Sequence, residues 1–163
     1  MNNERPPLKR VARAQCLVHR EDRILLVRMH LPGEAHDFLI LPGGGIEPGE
    51  TPEEGAVREL REECRIEGTV VKKVQTTDCT QNTSVYDYYH TFLMDIGDQE
   101  PVLGSDPDYE DQCLIDVGWY KLAEISERDR ASLISSGLMT IEEFRREILS
   151  WGDDISYPDF STF

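Results

Sequence analysis

The sequence has no long hydrophobic run, no closely spaced cysteine pair and no internal repeat. Its apolar stretches stay short of the roughly 20 residues that a membrane-spanning helix needs, so we expect no membrane segment. The four cysteines lie far apart, without the C-x-x-C spacing or the histidine neighbours of a zinc site. We therefore expect four reduced thiols that fill the core: Cys16, Cys64, Cys79 and Cys113.

Basic charge is also scarce. The 17 Lys and Arg residues stand against 32 Asp and Glu residues, which gives a formal net charge of −15 at pH 7. This surplus disfavours a nucleic-acid polymer as partner, because non-specific binding of that polyanion depends on clustered basic side chains. A small phosphorylated substrate stays compatible, because divalent cations held by carboxylates reverse the sign of the local field.

The chain length favours a single domain. Its 163 residues are enough for one substantial core and few for two domains of ordinary size. We expect a core over about 11–125, C-terminal helices over about 126–151 and a tail over 152–163. The polar, basic residues 1–13 lack the apolar stretch of a secretory signal, which predicts a cytoplasmic protein. A homodimer is compatible with these observations.

Alternating and β-branched segments predict several strands around one prominent helix. Residues 14–18 and 24–27 flank a charged turn and predict a β-hairpin, and residues 38–41 run into a glycine loop. Further strands are expected at 69–74, 88–96 and 117–120, and further helices at 126–139 and 140–151, the last with a capping box of Thr140 and Glu143. This order favours an α/β (α+β) fold with one mixed β-sheet packed by helices.

The helix that begins after Thr51 carries the clearest local signals. Thr51 fits an N-cap, Pro52 fits the first helical position, and Glu54 completes a capping box. On this helix Ala56, Val57, Leu60 and Cys64 share one apolar face.

Three carboxylates lie beside that apolar face. Glu59, Glu62 and Glu63 fall at i, i+3 and i+4, and Gly55 lies one turn earlier in the same arc. Like charges at this spacing repel one another, and a divalent cation would offset the repulsion. Carboxylate oxygens suit Mg²⁺, which commonly shares phosphate oxygens with its substrate. A solvated acidic surface is the alternative for such a cluster taken alone.

The surrounding segment resembles the box of the Nudix hydrolase family, whose pattern is G-x5-E-x7-R-E-U-x-E-E-x-G-U, with U a bulky aliphatic residue. The matching positions are Gly44, Glu50, Arg58, Glu59, Leu60, Glu62, Glu63 and Ile66. Arg65 replaces the last glycine, just past the helix end, where a positive φ is commonly required. We expect a shifted turn there that uses Gly68.

The resemblance implies a Nudix-type mixed β-sheet sandwiched between helices, and a box that binds one to three Mg²⁺ or Mn²⁺ ions. The implied ligands are Glu59, Glu62, Glu63 and the Gly43 or Gly44 carbonyl, while Arg58 orients a carboxylate. The implied reaction is attack of a metal-activated water on a pyrophosphate linkage.

Other implied roles lie outside the helix. The proton acceptor is either Glu59 or an acid of a distal loop, for which Asp108, Glu110 and Asp111 are candidates. Arg13, Arg28, Gly43 and Gly44 are the candidates for binding a small nucleotide-type substrate, and simple surface charge is the alternative for the two arginines.

Three functions follow as hypotheses. The first is a Nudix pyrophosphohydrolase acting on an ADP-ribose-like compound, a nucleotide sugar or a modified nucleoside triphosphate. The second is a catalytically weak nucleotide-binding or regulatory module of the same fold, which Arg65 and the C-terminal helices would suit. The third, an acidic interaction protein, leaves the spacing of the box unexplained.

Overall fold

The computed structural model describes residues 10–82, 84–105 and 113–151 of the chain. In this part the elements are the strands β1 (Arg10–Leu17), β2 (His19–Arg20), β3 (Arg23–Met29), β4 (Phe38–Ile40), β5 (Gly43–Gly45), β6 (Thr69–Asp78), β7 (Tyr86–Asp95) and β8 (Leu114–Lys121), and the helices α1 (Pro52–Cys64), α2 (Glu127–Ser135) and α3 (Glu142–Ser150). The predicted α/β fold class is confirmed.

The strands form two sheets, whereas the sequence pattern favours one. The first has the order β5-β1-β7-β6, with β1 and β7 parallel and the other neighbours antiparallel. In the second, β3 pairs antiparallel with β2, β4 and β8. Period-two patterning identifies a strand and its buried face, but it does not identify the neighbour with which the strand pairs.

The expected hairpin between residues 14–18 and 24–27 is therefore only partly correct. The turn after Arg20 exists, but it joins β2 to β3, while β1 belongs to the other sheet. The chain passes between the sheets at Val18, whose carbonyl oxygen accepts a hydrogen bond from the amide of Leu25 at 2.9 Å.

Two groups of buried side chains make up the core. The first joins α1 to β1 and β3, with fully buried members such as Cys16, Leu25 and Leu60. The second joins the opposite faces of these strands to α2 and α3, through residues such as Leu26 and Phe144. Alternate residues of β3 thus contact different helices, as the twofold period of a strand requires.

α1 begins as the sequence predicts. The Thr51 hydroxyl accepts from the Glu54 amide at 3.2 Å, and the Glu54 carboxylate accepts from the Thr51 amide at 2.9 Å. The capping box predicted for Thr140 and Glu143 is wrong. α3 has Ile141 as its N-cap residue, and the Thr140 hydroxyl donates to the Gly137 carbonyl at 2.7 Å instead.

All four cysteines are buried free thiols, as expected. Burial, the largest effect, raises the pKa of Cys16 well above its ordinary value, and it also raises the pKa of Cys64. None of the helices in the described ranges combines the length and the apolar character needed to cross a membrane.

Candidate active site

The predicted glycine loop is an extended strand in the structure. Residues Gly43–Gly45 form β5, which pairs with β1 through Gln15↔Gly43 and Ala14↔Gly44. A side chain at Gly43 would have its Cβ only 2.4 Å from the Ala14 carbonyl oxygen. The absence of side chains thus brings this strand against both β1 and α1, a close approach that local turn propensity does not predict.

Two carboxylates of α1 are buried against β5. The side chains of Glu59 and Glu63 are 1% and 0% exposed. A Cβ at Gly44 would lie 2.4 Å from Glu59 Oε1, so the absence of a side chain at Gly44 makes the space that this carboxylate fills. Glu63 Oε1 accepts a hydrogen bond from the Gly43 amide at 3.4 Å.

The helical pattern places Gly55 beside the three carboxylates, but in the structure its nearest neighbours are Glu50 and Ala14. A Cβ there would meet Glu50 Oε1 at 3.0 Å and the Ala14 Cβ at 3.3 Å. The glycine on the helix therefore makes room for Glu50 and β1, and the glycine beside Glu59 comes from β5.

Arg58 links the acids of the box to one another. Its Nη1 donates to Glu59 Oε1 at 2.8 Å and to Glu62 Oε2 at 3.2 Å. Its Nε and Nη2 bind both oxygens of Glu50, at 2.7 and 2.9 Å, and Nη2 also donates to the Gly45 carbonyl at 2.9 Å. One guanidinium thus fixes α1, β5 and the connecting loop together.

This contact changes the proton affinity of both partners. The Arg58 hydrogen bond is the main cause that lowers the pKa of Glu50, and the Glu50 hydrogen bond is the main cause that raises the pKa of Arg58. Both groups therefore stay charged at neutral pH. Their charge-assisted, bidentate geometry is the strong form of such a pair.

Glu62 differs from the other two acids because its side chain is 28% exposed. Across the described ranges, no three Asp, Glu, His or Cys side chains are grouped closely enough to hold a metal ion as they stand. In this arrangement Arg58 binds carboxylate oxygens of Glu59 and Glu62. Metal ligation by Glu59, Glu62 and Glu63 stays a prediction.

The C-terminal end of α1 differs from the expected shifted turn at Gly68. Arg65 itself adopts the left-handed conformation, with φ 56° and ψ 34°, and no shifted turn at Gly68 replaces it. Gly68 is instead packed against Leu60, whose Cδ2 would be 2.6 Å from an added Cβ. A non-glycine residue in this conformation costs about 1 kcal/mol.

A cavity of about 340 Å³ lies on the face of β1 opposite α1. Arg13 and Gln15 line it, whereas Ala14 and Cys16 between them face α1. Its other walls are mainly apolar or aromatic, with hydroxyl groups at the edge: Met29, Leu31, Phe38, Ile40, Leu41, Thr77, Cys79, Ser84, Val85, Tyr86, Tyr89, Ser132, Leu133, Ser135 and Ser136.

Arg13 brings a buried positive charge to this cavity. It is 9% exposed, and its guanidinium donates to Gln15 Oε1 at 3.3 Å and to the Leu41 carbonyl at 3.0 Å. Both oxygens are neutral, and no carboxylate of the described residues forms an ion pair with Arg13. Burial raises the pKa of Tyr89, and the Arg13 charge acts in the opposite direction.

Arg28 is not brought to this cavity. Arg28 lies on the face of β3 opposite Met29, where it contacts Tyr120 at 3.3 Å and Asp37 at 3.9 Å. It lines a separate depression with Asp37, Leu39 and Arg128. Glu110, with Asp108 and Asp111, lies outside the described residues.

Sequence reasoning missed a buried polar pair that includes Gln15, one of the residues lining the cavity. Gln15 Nε2 donates to the Thr91 hydroxyl at 2.9 Å, and both side chains are buried. The available signal was a polar residue directly beside apolar ones, Gln15 between Ala14 and Cys16 and Thr91 before Phe92. Their parallel pairing, Gln15↔Thr91, becomes visible only with the sheet order.

Comparison with known proteins assigns the family. A model of the NUDIX domain matches residues 9–139. The chain therefore belongs to the NUDIX family.

Curated relatives and solved structures agree with this assignment. The chain is 40% identical over 81 residues to human diphosphoinositol polyphosphate phosphohydrolase 3-alpha, an alignment that covers 45% of this chain and 48% of the relative. The mouse 3-alpha protein is 46% identical over 59 residues, which is 34% of each chain. The chain thus spans between a third and a half of the length of these relatives.

Two solved structures share the fold at low sequence identity. A NUDIX hydrolase of Nitrosomonas europaea has a TM-score of 0.58 and 17% identity, over 88% of this chain and 72% of that one. An ADP-ribose pyrophosphatase of Streptococcus suis has a TM-score of 0.55 and 19% identity, over 70% and 75%. These similarities confirm the arrangement of strands and helices.

Proposed function

We propose that this protein is a Mg²⁺-dependent hydrolase that cleaves the pyrophosphate linkage of a small nucleotide-type substrate. The observation that carries the proposal is the pair of buried carboxylates, Glu59 and Glu63, packed against the glycine strand. Burying charge is costly unless other charges compensate it. Arg58 lies within ion-pair distance of four carboxylates, those of Glu47, Glu50, Glu59 and Glu62, and so gathers these acids at one place.

A divalent cation suits carboxylate oxygens gathered in this way. Glu59, Glu62 and Glu63 would hold it with the Gly43 carbonyl, and Mn²⁺ would replace Mg²⁺ because both accept oxygen ligands. When bound, the ion lowers the pKa of water and neutralises charge on the phosphate oxygens. Arg58 would keep two carboxylates oriented, and the proton acceptor would be Glu59 or a distal acid such as Glu110.

The cavity favours a substrate with one flat, largely apolar half. Phe38, Tyr86 and Tyr89 supply aromatic surface, while Arg13 offers a single buried cation without an acidic partner among the described residues. A nucleobase or ribose with one anionic or carbonyl group fits these walls. We infer a nucleoside diphosphate linked to a second group, such as ADP-ribose or a nucleotide sugar.

The curated relatives suggest a second candidate, a diphosphoinositol polyphosphate. Binding a ring that carries many phosphates requires several Arg or Lys side chains around it, because these residues recognise phosphate. Arg13 is the one basic residue that lines the cavity in the described part of the chain. The walls of the cavity therefore favour the nucleotide.

One substitution tests the reaction itself. Replacing Glu63 by Gln keeps the size of the side chain and removes its charge, so we expect Mg²⁺-dependent turnover of the best substrate to fall by at least about 100-fold. The assay measures phosphate release with Mg²⁺ or Mn²⁺ from ADP-ribose, nucleotide sugars, nucleoside triphosphates and a diphosphoinositol polyphosphate.

Glu53→Gln is the matched control, because Glu53 is an exposed residue in the first turn of the same helix. It should retain the wild-type rate. An unchanged rate for Glu63→Gln would contradict the proposal. Ligand binding without turnover across the whole panel would support the alternative, a nucleotide-binding or regulatory module.

A further inference from the structure

The C-terminal end of α1 has all four of its terminal carbonyl groups bound. The last four carbonyls of any helix lack partners within the helix. Here the Arg61 carbonyl accepts from the Arg65 amide at 3.0 Å. The next three carbonyls accept hydrogen bonds from a segment about 40 residues further along the chain, residues 102–105, which we name the strap.

The strap binds the helix through its backbone. The amide of Val102 donates to the Cys64 carbonyl at 2.9 Å, that of Gly104 to the Glu63 carbonyl at 2.8 Å, and that of Ser105 to the Glu62 carbonyl at 3.0 Å. The Val102 and Leu103 side chains are 61% and 40% exposed. Val102 is largely exposed and Leu103 partly so, and the three backbone hydrogen bonds are therefore a major part of the attachment.

Gly104 is required for this approach. A Cβ at this position would lie 1.8 Å from the Glu62 carbonyl oxygen and 2.8 Å from its carbon. Both are backbone atoms, so no flexible side chain can move aside. Because real Cβ atoms are essentially never found closer than 3.0 Å to such a neighbour, a side chain here would force the strap and the helix end apart.

We propose that the strap, through Gly104, is a positioning element for the metal-binding acids of α1. Two of the three carbonyls that it binds belong to Glu62 and Glu63, so the strap holds the backbone that carries their carboxylates. It acts at the place where Arg65 replaces the family's glycine. This inference rests on the proposed function for the identity of the ligand, a divalent cation.

A displacement of about 1 Å at a reactive centre can cost about 100-fold in rate. A loosened strap would let the last turn of α1 move, while the cavity on the other face of β1 would be unaffected. The expected result is therefore weaker metal binding and a lower kcat, with an unchanged KM for the nucleotide. By linkage, metal binding must in turn strengthen the attachment of the strap.

The first test is Gly104→Ala. Mn²⁺ binding is measured without substrate by electron paramagnetic resonance, and we expect at least a tenfold loss of affinity. Gly118→Ala is the matched control, because a Cβ there would meet a single neighbour, Tyr120 Cε2, at an ordinary 3.6 Å. Its Mn²⁺ affinity should stay within twofold of wild type. Equal affinities for Gly104→Ala and wild type would overturn the proposal.

A second variant separates positioning from general stability. Arg65→Gly relieves the left-handed backbone and should raise Tm without changing Mn²⁺ affinity. Added to Gly104→Ala, it should restore Tm but leave Mn²⁺ binding weak. If the double variant recovers both, the strap contributes stability alone and the proposal is wrong.

The wild-type protein supplies a third measurement. Hydrogen exchange of the Gly104 and Ser105 amides should slow by at least tenfold at saturating Mg²⁺, and exchange without this response would contradict the proposal. A wild-type protein that binds no Mn²⁺ would instead overturn the proposed function, and with it the strap's role. If the wild-type protein binds Mn²⁺ and Gly104→Ala binds it equally well, the proposed role of the strap is overturned and the proposed function is not.

Discussion

Among single residues, Arg58 joins the acids of the site to one another. It binds Glu50 with two nitrogens, two further carboxylates with a third, and the Gly45 carbonyl. Only a planar guanidinium with a fixed fork of donors can make these contacts together, and a lysine cannot replace it. The network therefore depends on the geometry of this side chain as well as on its charge.

Replacing Glu50 by Gln should destabilise the protein by about 2–4 kcal/mol at pH 7, because it removes one partner of a largely buried ion pair. The pKa of Glu50 is lowered in the folded protein, so its contribution is complete well above the ordinary value of 4.5 and disappears as the pH falls through the lowered value. Denaturant unfolding between pH 3 and 8 should show the two proteins converging in acid.

Glu47→Gln provides the comparison, because Glu47 lies 3.8 Å from Arg58 but its side chain is 60% exposed. Its effect should stay within about 0.5 kcal/mol at every pH. A constant difference between wild type and Glu50→Gln down to pH 3 would refute the assigned ion pair.

At this scale the sequence predicted the free thiols, and the roles of the acids and of Arg58 in catalysis stay predictions. It did not predict that Gly44 makes the space for Glu59, because that contact joins β5 to α1 across the core. It offered Arg28 as a candidate for binding the substrate, with simple surface charge as the alternative, and in the structure this side chain contacts Asp37 and Tyr120.

Among the elements, the two ends of α1 show what local sequence can predict. The N-terminal capping box depends on contacts three residues apart, so Thr51 and Glu54 could be identified directly. The C-terminal end depends on the strap, which lies about 40 residues away in the sequence. A helix end that is held by distant residues can be identified only from the tertiary structure.

Thr51→Ala should cost about 1 kcal/mol of unfolding free energy, since it removes the acceptor for the Glu54 amide. Thr51→Ser keeps an acceptor oxygen and should recover most of that loss. Urea unfolding followed by circular dichroism measures both. Equal stabilities for the alanine and serine variants would show that the hydroxyl makes no contribution.

At the scale of the whole molecule, the two groups of buried side chains support different parts of the structure. The group around α1 supports the acids, and the group around α2 and α3 supports the far side of the sheets. The three helices and most of the strands could be predicted from periodicity, whereas β2 and β5 fall where the sequence indicated a turn and a glycine loop. The division into two sheets could not be predicted, because it depends on which strands pair.

Phe144→Ala, in the second group, should cost about 3–5 kcal/mol, because the side chain is completely buried. Mn²⁺ affinity of the folded variant should be unchanged, since α3 does not touch α1 or β5 in the core groups. Leu149→Ala, on the same helix but 62% exposed, is the control and should change stability by less than about 0.5 kcal/mol. A folded Phe144→Ala protein with weakened Mn²⁺ binding would contradict this division.

The buried thiols allow local opening of the native protein to be measured by chemical modification. Cys16 donates its thiol hydrogen to the Ala56 carbonyl at 3.1 Å, and Cys64 lies at the end of the same helix. A thiol-specific reagent can modify these two only when α1 leaves the sheet, because buried thiols with a raised pKa do not react. Modification rates read by mass spectrometry, residue by residue, would therefore measure how often the acid-bearing helix detaches, without any introduced label.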